Sequence, residues 1–260
     1  MRKSGAALAE VFLSNAARMQ PEAITYDIDK AFEEAIRSRN ARPAFKGYRG
    51  GAKYPFPAST CISVDAEIVH GIPSKRKLTT GQVVGIDCGL ELDGWYADMA
   101  ASFLIGEVSE QKAKLWKITL ESLYLGIAQA RSGRKINDIG GAVQDHVEKH
   151  GFSVIRGLVG HGIGTSLHED PAVPNFRNQD GNITLRPGMT IAIEPMISAG
   201  DWKIKTLSDG WTAVTKDGAP SCHFEHTVAI TENGPEILTL LPDGRDPWEV
   251  ITGVTKDTSA

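Results

Sequence analysis

Two aspartates, Asp87 and Asp98, lie on what the sequence predicts to be the two arms of one β-hairpin. Asp93-Gly94 between them is a strong signal for a two-residue turn. Counting outward along both arms from that turn places Asp87 opposite Ala100. Because side chains alternate between the two faces of a strand, both carboxylates point to the same side, as diagonal neighbours with Cβ atoms about 7 Å apart.

Two carboxylates at that range repel each other, and the repulsion is costly in an apolar setting. A pair of divalent ions about 3.5–4 Å apart removes this cost, and such ion pairs are known hydrolytic devices. The hairpin therefore favours a metal-dependent hydrolase.

Composition limits the class of protein. The 260 residues are 41% hydrophobic, which suits one domain of mixed helices and strands or two fused halves. The net charge of −4 gives no support for nucleic acid or an anionic membrane as a partner. Three cysteines without paired spacing make no disulfide framework and indicate a reducing compartment.

The N-terminus begins with basic residues followed by an apolar stretch, which is compatible with a signal peptide or with an amphipathic helix. Glu10 interrupts the apolar run, and Leu8, Val11 and Phe12 share one helical face, so we favour the helix. No segment approaches the roughly 20 apolar residues that a membrane helix needs. We therefore expect a soluble, cytoplasmic protein.

The chain repeats one plan, two helices followed by strands, in two halves of about residues 1–108 and 109–241 within a single domain, 1–241. In the first half we predict helices over 5–18 and 27–39, a loop over 47–59, and strands Cys61–Val64, Val83–Asp87 and Tyr96–Ile105. In the second half we predict helices over 110–131 and 138–149 and strands Ser153–Val159, Thr190–Pro195 and Phe224–Thr231. An apolar stripe at helical spacing marks one face of the first of these helices, at Trp116, Leu120, Leu123 and Ile127. The predicted helix N-caps are Asp27, Ser109 and Asn137. Residues 242–260 are predicted to be a loosely held C-terminal tail.

Further polar groups stand among apolar neighbours. Glu194 and Glu225 lie in short apolar strands, where a buried carboxylate is costly unless it is paired or metal-bound, although an edge strand facing water would also accommodate it. His161 stands between glycines, which let other groups approach its ring closely. The combined set is rich in oxygen, with one imidazole and no thiolate: Asp87, Asp98, His161, Glu194 and Glu225. Such a set disfavours a structural zinc site and suits two divalent ions, with Co, Mn, Fe(II) and Zn all remaining open.

Five segments, in order along the chain, carry a family resemblance. They are 61–73 with His70, 160–171 with His161 and His168, 186–196 with Glu194, 209–212 with Trp211, and 223–230 with Glu225. Through these segments the chain resembles the type I methionine aminopeptidases over about residues 1–240.

The resemblance implies an α+β "pita-bread" fold, with two pseudo-symmetric αβ halves that share a curved antiparallel sheet. It also implies a dinuclear metal site, in which Asp87 binds one ion, His161 and Glu194 bind the other, and Asp98 and Glu225 bridge both.

The implied reaction is removal of the N-terminal methionine from nascent proteins when the next residue is small, by attack of metal-activated water on the first peptide bond. In this scheme His168 stabilises the developing oxyanion, His70 contacts the scissile amide nitrogen, and Glu194 shuttles a proton. The expected partners are nascent polypeptide N-termini, with direct ribosome contact left open. Neither nucleic acid nor membrane is expected as a partner, and the chain is expected to be a monomer.

By motif match, an apolar pocket for methionine is lined by Tyr48, Cys61, Leu167 and Trp211, with Phe45 as a further candidate. Each of these residues is equally compatible with ordinary core packing.

The chain departs from the family pattern in several places. The segment from Tyr48 to Cys61 is longer than usual, Gly89 and Met99 stand where threonine is frequent, and Leu167 stands where an aromatic residue is common. Three alternatives remain: a related Xaa-Pro aminopeptidase with the same metals, an inactive relative that only binds peptides, and redox or sensing chemistry at Cys61.

Overall fold

The computed structural model describes residues 1–178 and 182–253. The helices are α1 (Arg2–Asn15), α2 (Thr25–Arg37), α3 (Glu110–Gln129), α4 (Ile136–Lys149) and α5 (Pro247–Thr252), with a short 3₁₀ turn (Ala16–Arg18) after α1. The first strands are β1 (Arg42–Pro43), β2 (Cys61–Val64), β3 (Glu67–Val69), β4 (Val83–Leu92), β5 (Trp95–Leu104), β6 (Ser153–Val154), β7 (Gly160–Gly162) and β8 (Glu169–Val173). The remaining strands are β9 (Thr190–Ile193), β10 (Met196–Ser198), β11 (Ile204–Thr206), β12 (Ala213–Thr215), β13 (Ser221–His223), β14 (Glu225–Thr231) and β15 (Gly234–Ile237).

One antiparallel sheet of nine strands forms the centre of the molecule. Its main order is β1-β4-β5-β14-β9-β7-β8, with β2 also paired to β4 and β15 to β14. The first half of the chain supplies α1, α2 and the strands up to β5, and the second half supplies α3, α4 and the strands from β6 onward. The two halves meet where β5 pairs with β14. The expected α+β architecture, two similar halves sharing one antiparallel sheet, is confirmed.

The helices cover the sheet through the apolar faces that the sequence predicts. Leu8, Val11 and Phe12 of α1 are fully buried. The predicted stripe along α3 is also buried, at Trp116, Leu120, Leu123 and Ile127. Helical spacing of apolar residues therefore identified the core-facing sides of both helices.

The hairpin has the predicted register. β4 and β5 pair from Leu92↔Trp95 at the turn, and Asp87 lies opposite Ala100. Asp93 and Gly94 both have positive φ, 54° and 82°, as a type I′ turn requires. The turn therefore fixes which face of the sheet carries the two aspartates.

Two predicted helix N-caps are wrong, while Ser109 does cap α3 by accepting from the Lys112 N–H. Helix α2 begins at Thr25, whose hydroxyl bonds to the Ser74 carbonyl, and Asp27 lies inside its first turn. Helix α4 begins at Ile136, where Asp138 accepts from the Lys135 N–H, while the side chain of Asn137 accepts from the Asn178 N–H. In both helices the residue predicted as N-cap lies inside the first turn.

Two predicted strands are shorter than expected. Thr190–Pro195 is interrupted after Ile193: β9 belongs to the large sheet, and β10 pairs with β13 in a separate one. Pro195 has no N–H to continue the ladder, which explains the break. Ser153–Val159 pairs with β10 only at Ser153 and Val154, after which a single bond from Ile155 N–H to Met196 O ends the contact.

The C-terminal segment is packed rather than loosely held, as far as residue 253. Asp246 caps α5 by accepting from the Trp248 N–H, and the Trp248 indole is 1% exposed. Its ring makes an edge contact with Phe12, with centroids 5.1 Å apart. The rest of the predicted tail, 254–260, lies outside the described residues. Within the described ranges no helix is both long and apolar enough to cross a membrane.

Candidate metal and peptide site

Three neighbouring strands bring the carboxylates together. In the ladder of β4, β5 and β14, Asp87 and Glu225 both lie opposite Ala100. Asp98 is two residues from Ala100 and shares its face of the sheet. The Thr227 hydroxyl of β14 accepts from the Asp98 N–H and donates to the Asp98 carbonyl, which ties the two strands together at this point.

Glu194 and His161 approach from the other side of β14. β14 pairs with β9 in the register His226↔Ile193, and continuing it by one residue places Glu194 beside Glu225. His161 is on β7, the next strand. A Cβ on Gly160 would lie 2.3 Å from the Ala192 carbonyl oxygen, and one on Gly162 would lie 2.2 Å from the Asp170 carbonyl oxygen. Only glycine therefore lets the adjacent strands pack this closely on either side of His161.

The histidine presents one nitrogen to the acids. Nδ1 of His161 lies 2.8 Å from the Gly162 carbonyl and donates its proton there. Nε2 then carries a free lone pair, 3.7 Å from Oε1 of Glu194 and 3.9 Å from Oδ2 of Asp98. These separations are too long for hydrogen bonds and suit ligands of a shared ion.

Burial shifts the pKa values of these acids and of the histidine far from their usual ranges, and repulsion between the acids adds to the shift. Desolvation raises the pKa of Asp98 to about 7. Desolvation, followed by repulsion from neighbouring acids, raises the pKa values of Asp87, Glu194 and Glu225 well above their usual range. Desolvation lowers the pKa of His161 to about 4, so its imidazole is neutral at neutral pH. A bound cation would relieve the repulsion among all four carboxylates.

The residues present fit a divalent ion. Among the described residues, Oδ1 of Asp87 and Oε1 of Glu225 are buried and have no hydrogen-bond partner, which is costly for polar atoms. Two groups of three residues each offer donor atoms that lie within 4.8 Å of one another: Asp98–His161–Glu225 and Glu194–His223–Glu225. Glu225 belongs to both groups. Oxygen donors with imidazole suit first-row divalent metals. The described residues therefore contain a cluster of Asp, Glu and His that could bind metal.

The acids form the floor of a cavity of about 230 Å³. Every residue that the sequence singled out for metal binding, catalysis or the pocket lines it: Phe45, Tyr48, Cys61, His70, Asp87, Asp98, His161, Leu167, His168, Glu194, Trp211 and Glu225. The structure thus brings together residues that span most of the chain.

Two further histidines stand above the acids. His168 stacks between His161 and Tyr48, with ring centroids at 4.1 and 5.0 Å. His70 makes an edge contact with Trp211, with centroids 6.2 Å apart. The backbone of His70 has φ of 61°, a left-handed conformation that is uncommon outside glycine and is found at functional sites.

Part of the long segment between Tyr48 and Cys61 lines the cavity, because Gly50 belongs to its wall with Tyr48 and Phe56. Phe56 N–H donates to Tyr48 O at 2.7 Å, and Gly47 N–H donates to Phe56 O, so residues 49–55 form a loop whose two ends are joined at the cavity wall. Trp211 Nε1 donates to the Tyr54 carbonyl at 3.1 Å and fastens this loop. The extra residues therefore leave Tyr48 and Phe56 side by side in the wall.

Gly89 and Phe45 fit each other. A Cβ at Gly89 would lie 2.9 Å from Cε1 of Phe45 and 3.3 Å from Oδ1 of Asp98. The Phe45 ring therefore occupies space that a threonine at position 89 would need. This accounts for one departure from the family pattern, and it also places Phe45 against a proposed ligand.

The sequence analysis missed three residues of the site, Gly50, Phe56 and His223. Phe56 lines the cavity and packs edge-on against Trp211, with centroids 5.3 Å apart, but its loop offered no periodicity. His223 is 3% exposed, and its Nε2 lies 3.8 Å from Oε2 of Glu194. A signal for His223 was available, since it stands on β13 only two residues before Glu225.

Comparisons with known proteins agree with the geometry. The model of metallopeptidase family M24 matches residues 1–232. A methionine aminopeptidase of Clostridium perfringens is 46% identical over 241 residues, which cover 93% of this chain and 95% of that protein. Methionine aminopeptidase 1 of Bacillus subtilis is 43% identical over 92% of this chain and 94% of its own.

Solved structures give the same result. The crystal structure of a methionine aminopeptidase from Thermotoga maritima matches with a TM-score of 0.87 and 42% identity, over 92% of this chain and 94% of that one. The prolidase from Pyrococcus furiosus matches with a TM-score of 0.70 at 20% identity, covering 92% of this chain and 62% of that one, which shows a shared fold alone.

Proposed function

The chain belongs to metallopeptidase family M24, and from this we propose that it is a methionyl aminopeptidase. It would remove the N-terminal methionine from new polypeptides and peptides whose second residue is small. One observation carries the proposal: four carboxylates, of which Asp98 and Glu225 are buried, line one cavity together with an imidazole and with apolar and aromatic side chains. Hydrolytic chemistry and a site for an apolar side chain are therefore adjacent.

The proposed ligands are two acids of the hairpin and three groups from the second half. Asp87 would hold one ion, His161 and Glu194 the other, and Asp98 and Glu225 both; two ions of Co, Mn, Fe(II) or Zn are compatible with these donors. When bound, such ions acidify water toward a nucleophile near neutral pH and polarise a carbonyl oxygen. The unpartnered oxygens of Asp87 and Glu225 support these assignments.

The remaining polar groups would orient the peptide and handle the proton. A carboxylate of Glu194 that exchanges a proton at one oxygen would accept it from the attacking water and deliver it to the leaving amine. His168 would donate a hydrogen bond to the carbonyl oxygen as negative charge develops, an effect that often dominates catalysis. His70, which lies beside Trp211 in the cavity, would contact the scissile amide nitrogen.

Apolar side chains would select methionine. Tyr48, Cys61 and Leu167, together with Phe45, Phe56 and Trp211, would enclose the thioether side chain. An apolar pocket discriminates by only about 1–3 kcal/mol per methylene. We therefore expect norleucine at the N-terminus to be accepted and lysine to be rejected.

The natural substrates would be nascent N-termini in the cytoplasm, met either free or on the ribosome. All proposed site residues come from one chain, which supports action as a monomer.

A peptide assay with metal removal tests the proposal. Purified protein with added Co(II) or Mn(II) should release methionine from Met-Ala-Ser, lose activity after chelation, and regain it when metal returns. Met-Arg-Ser is the control for the second residue, and Ala-Pro peptides test the Xaa-Pro alternative. Preferred cleavage of Ala-Pro, or no cleavage with any of the four metals, would contradict the proposal.

A further inference from the structure

One buried imidazole beside the acids has no role in the scheme above. His223 ends β13 and is 3% exposed, and its Nε2 has no hydrogen-bond partner among the described residues. Burying an imidazole nitrogen without a partner is costly, and native structures rarely leave such a group unused. The nitrogen is directed at Glu194, with Nε2 3.8 Å from Oε2.

The same spacing recurs on the other side of Glu194. Nε2 of His161 lies 3.7 Å from Oε1, so each oxygen of this carboxylate faces one imidazole at nearly the same distance. Neither distance is a hydrogen bond. Both match two ligand atoms that each lie about 2.0–2.2 Å from a shared ion.

The neighbouring acid completes a second cluster. Glu194, His223 and Glu225 each offer one donor atom, all within 4.8 Å of one another, and Asp98, His161 and Glu225 do the same. The two clusters share only Glu225, and each contains one imidazole. His223 therefore stands in one donor cluster as His161 stands in the other, and Glu225 belongs to both.

We propose that His223 is a metal ligand through Nε2, so that the ion pair is held by two imidazoles instead of one. This inference rests on the metal pair of the proposed function and extends its ligand set. Imidazole suits Zn, Fe and Co better than Mn, which prefers oxygen donors. His223 would therefore shift the site's preference toward the former metals.

The first test uses the unaltered protein and needs no variant. X-ray absorption of the protein loaded with two equivalents of Co(II) counts the imidazoles around the metal. We expect two imidazoles per pair of ions, which averages to one per Co(II). A count of one imidazole per pair would overturn the inference.

The second test measures affinity. His223→Gln keeps a polar side chain of similar reach, and Co(II) titration by calorimetry should show one of the two binding steps weakened about tenfold or more, with a smaller loss for Mn(II). His70→Gln removes another imidazole from the same cavity and should leave both Co(II) steps within about threefold of the parent. Circular dichroism and thermal unfolding of the metal-free proteins verify that each variant folds, and His223→Asn replaces His223→Gln if the latter does not.

Unchanged Co(II) binding in folded His223→Gln would contradict the proposal that His223 is a ligand, without affecting the proposed function. The proposed function would fail separately, if the unaltered protein bound no Co(II) or released no methionine from Met-Ala-Ser.

Discussion

Asp87 and Glu225 face the same residue, Ala100, from the strands on its two sides. The strands β4, β5 and β14 therefore carry three acids on one face of the sheet, because Asp98 follows two residues from Ala100 in the alternation. This register joins the first half of the chain to the second. The site consequently depends on the correct association of both halves.

Removing the acid in the middle of this arrangement should abolish turnover. Asp98 would bridge both ions, so Asp98→Ala should lower kcat/KM for Met-Ala-Ser by at least about 10²-fold, while circular dichroism shows unchanged helix content. Asp145→Ala, which removes an exposed carboxylate paired with Arg177, is the control and should retain activity. Substantial activity in Asp98→Ala would exclude a bridging role.

A side chain at Gly89 should disturb the pocket. In Gly89→Ala the new Cβ would meet the Phe45 ring at 2.9 Å, and overpacking of this kind costs about 1–3 kcal/mol. We expect kcat/KM to fall about tenfold, with partial recovery in Gly89→Ala/Phe45→Leu. Gly85→Ala on the same strand is the matched control, because its Cβ would have no neighbour closer than 3.8 Å. An equal fall in kcat/KM in Gly89→Ala and Gly85→Ala would show that any side chain added to this strand lowers activity, so that the contact with Phe45 is not the cause.

Metal binding should release protons at neutral pH. Burial raises the pKa of Asp98 to about 7, and the pKa values of Glu194 and Glu225 are also raised. With a pKa of about 7, Asp98 is partly protonated at neutral pH in the metal-free protein, and an ion that binds there must displace that proton. Affinity should therefore increase as pH rises through 7, and the binding enthalpy at pH 7 should vary with the ionisation enthalpy of the buffer. A binding enthalpy independent of the buffer would contradict this.

The C-terminal helix should contribute to stability. Trp248 is buried against Phe12 and Phe224, so Trp248→Ala should lower the free energy of unfolding by about 3–5 kcal/mol. Val250→Ala in the same helix, where the side chain is 38% exposed, should cost less than about 1 kcal/mol. Denaturant unfolding of the metal-free proteins measures both. If Trp248→Ala lowered the free energy of unfolding no more than Val250→Ala, the C-terminal helix would not contribute to stability through Trp248.

Local patterns predicted much of this fold. The Asp93-Gly94 turn determined the hairpin register, and apolar spacing identified the buried faces of α1 and α3, because both depend on residues near in sequence. The resemblance to a known family, and not local spacing, predicted that residues far apart in the sequence form one site. All of the residues predicted for that site line the cavity.

The errors arise where contacts distant in sequence decide the structure. Asn137 accepts a hydrogen bond from the Asn178 N–H instead of capping its own helix. Trp248 packs on Phe12, which is more than two hundred residues away in the sequence. The predicted strand Thr190–Pro195 ends at Ile193, and the chain beyond Pro195 joins another sheet. His223 was overlooked although it stands two residues before Glu225, because its approach to Glu194 is a contact distant in sequence.

Anomalous diffraction from crystals grown with Mn(II) tests the central claim most directly. The account predicts two anomalous peaks about 3.5–4 Å apart, within bonding distance of Asp87, Asp98, His161, Glu194 and Glu225. No peak among these five residues, or peaks bound only to other groups on the protein surface, would contradict it.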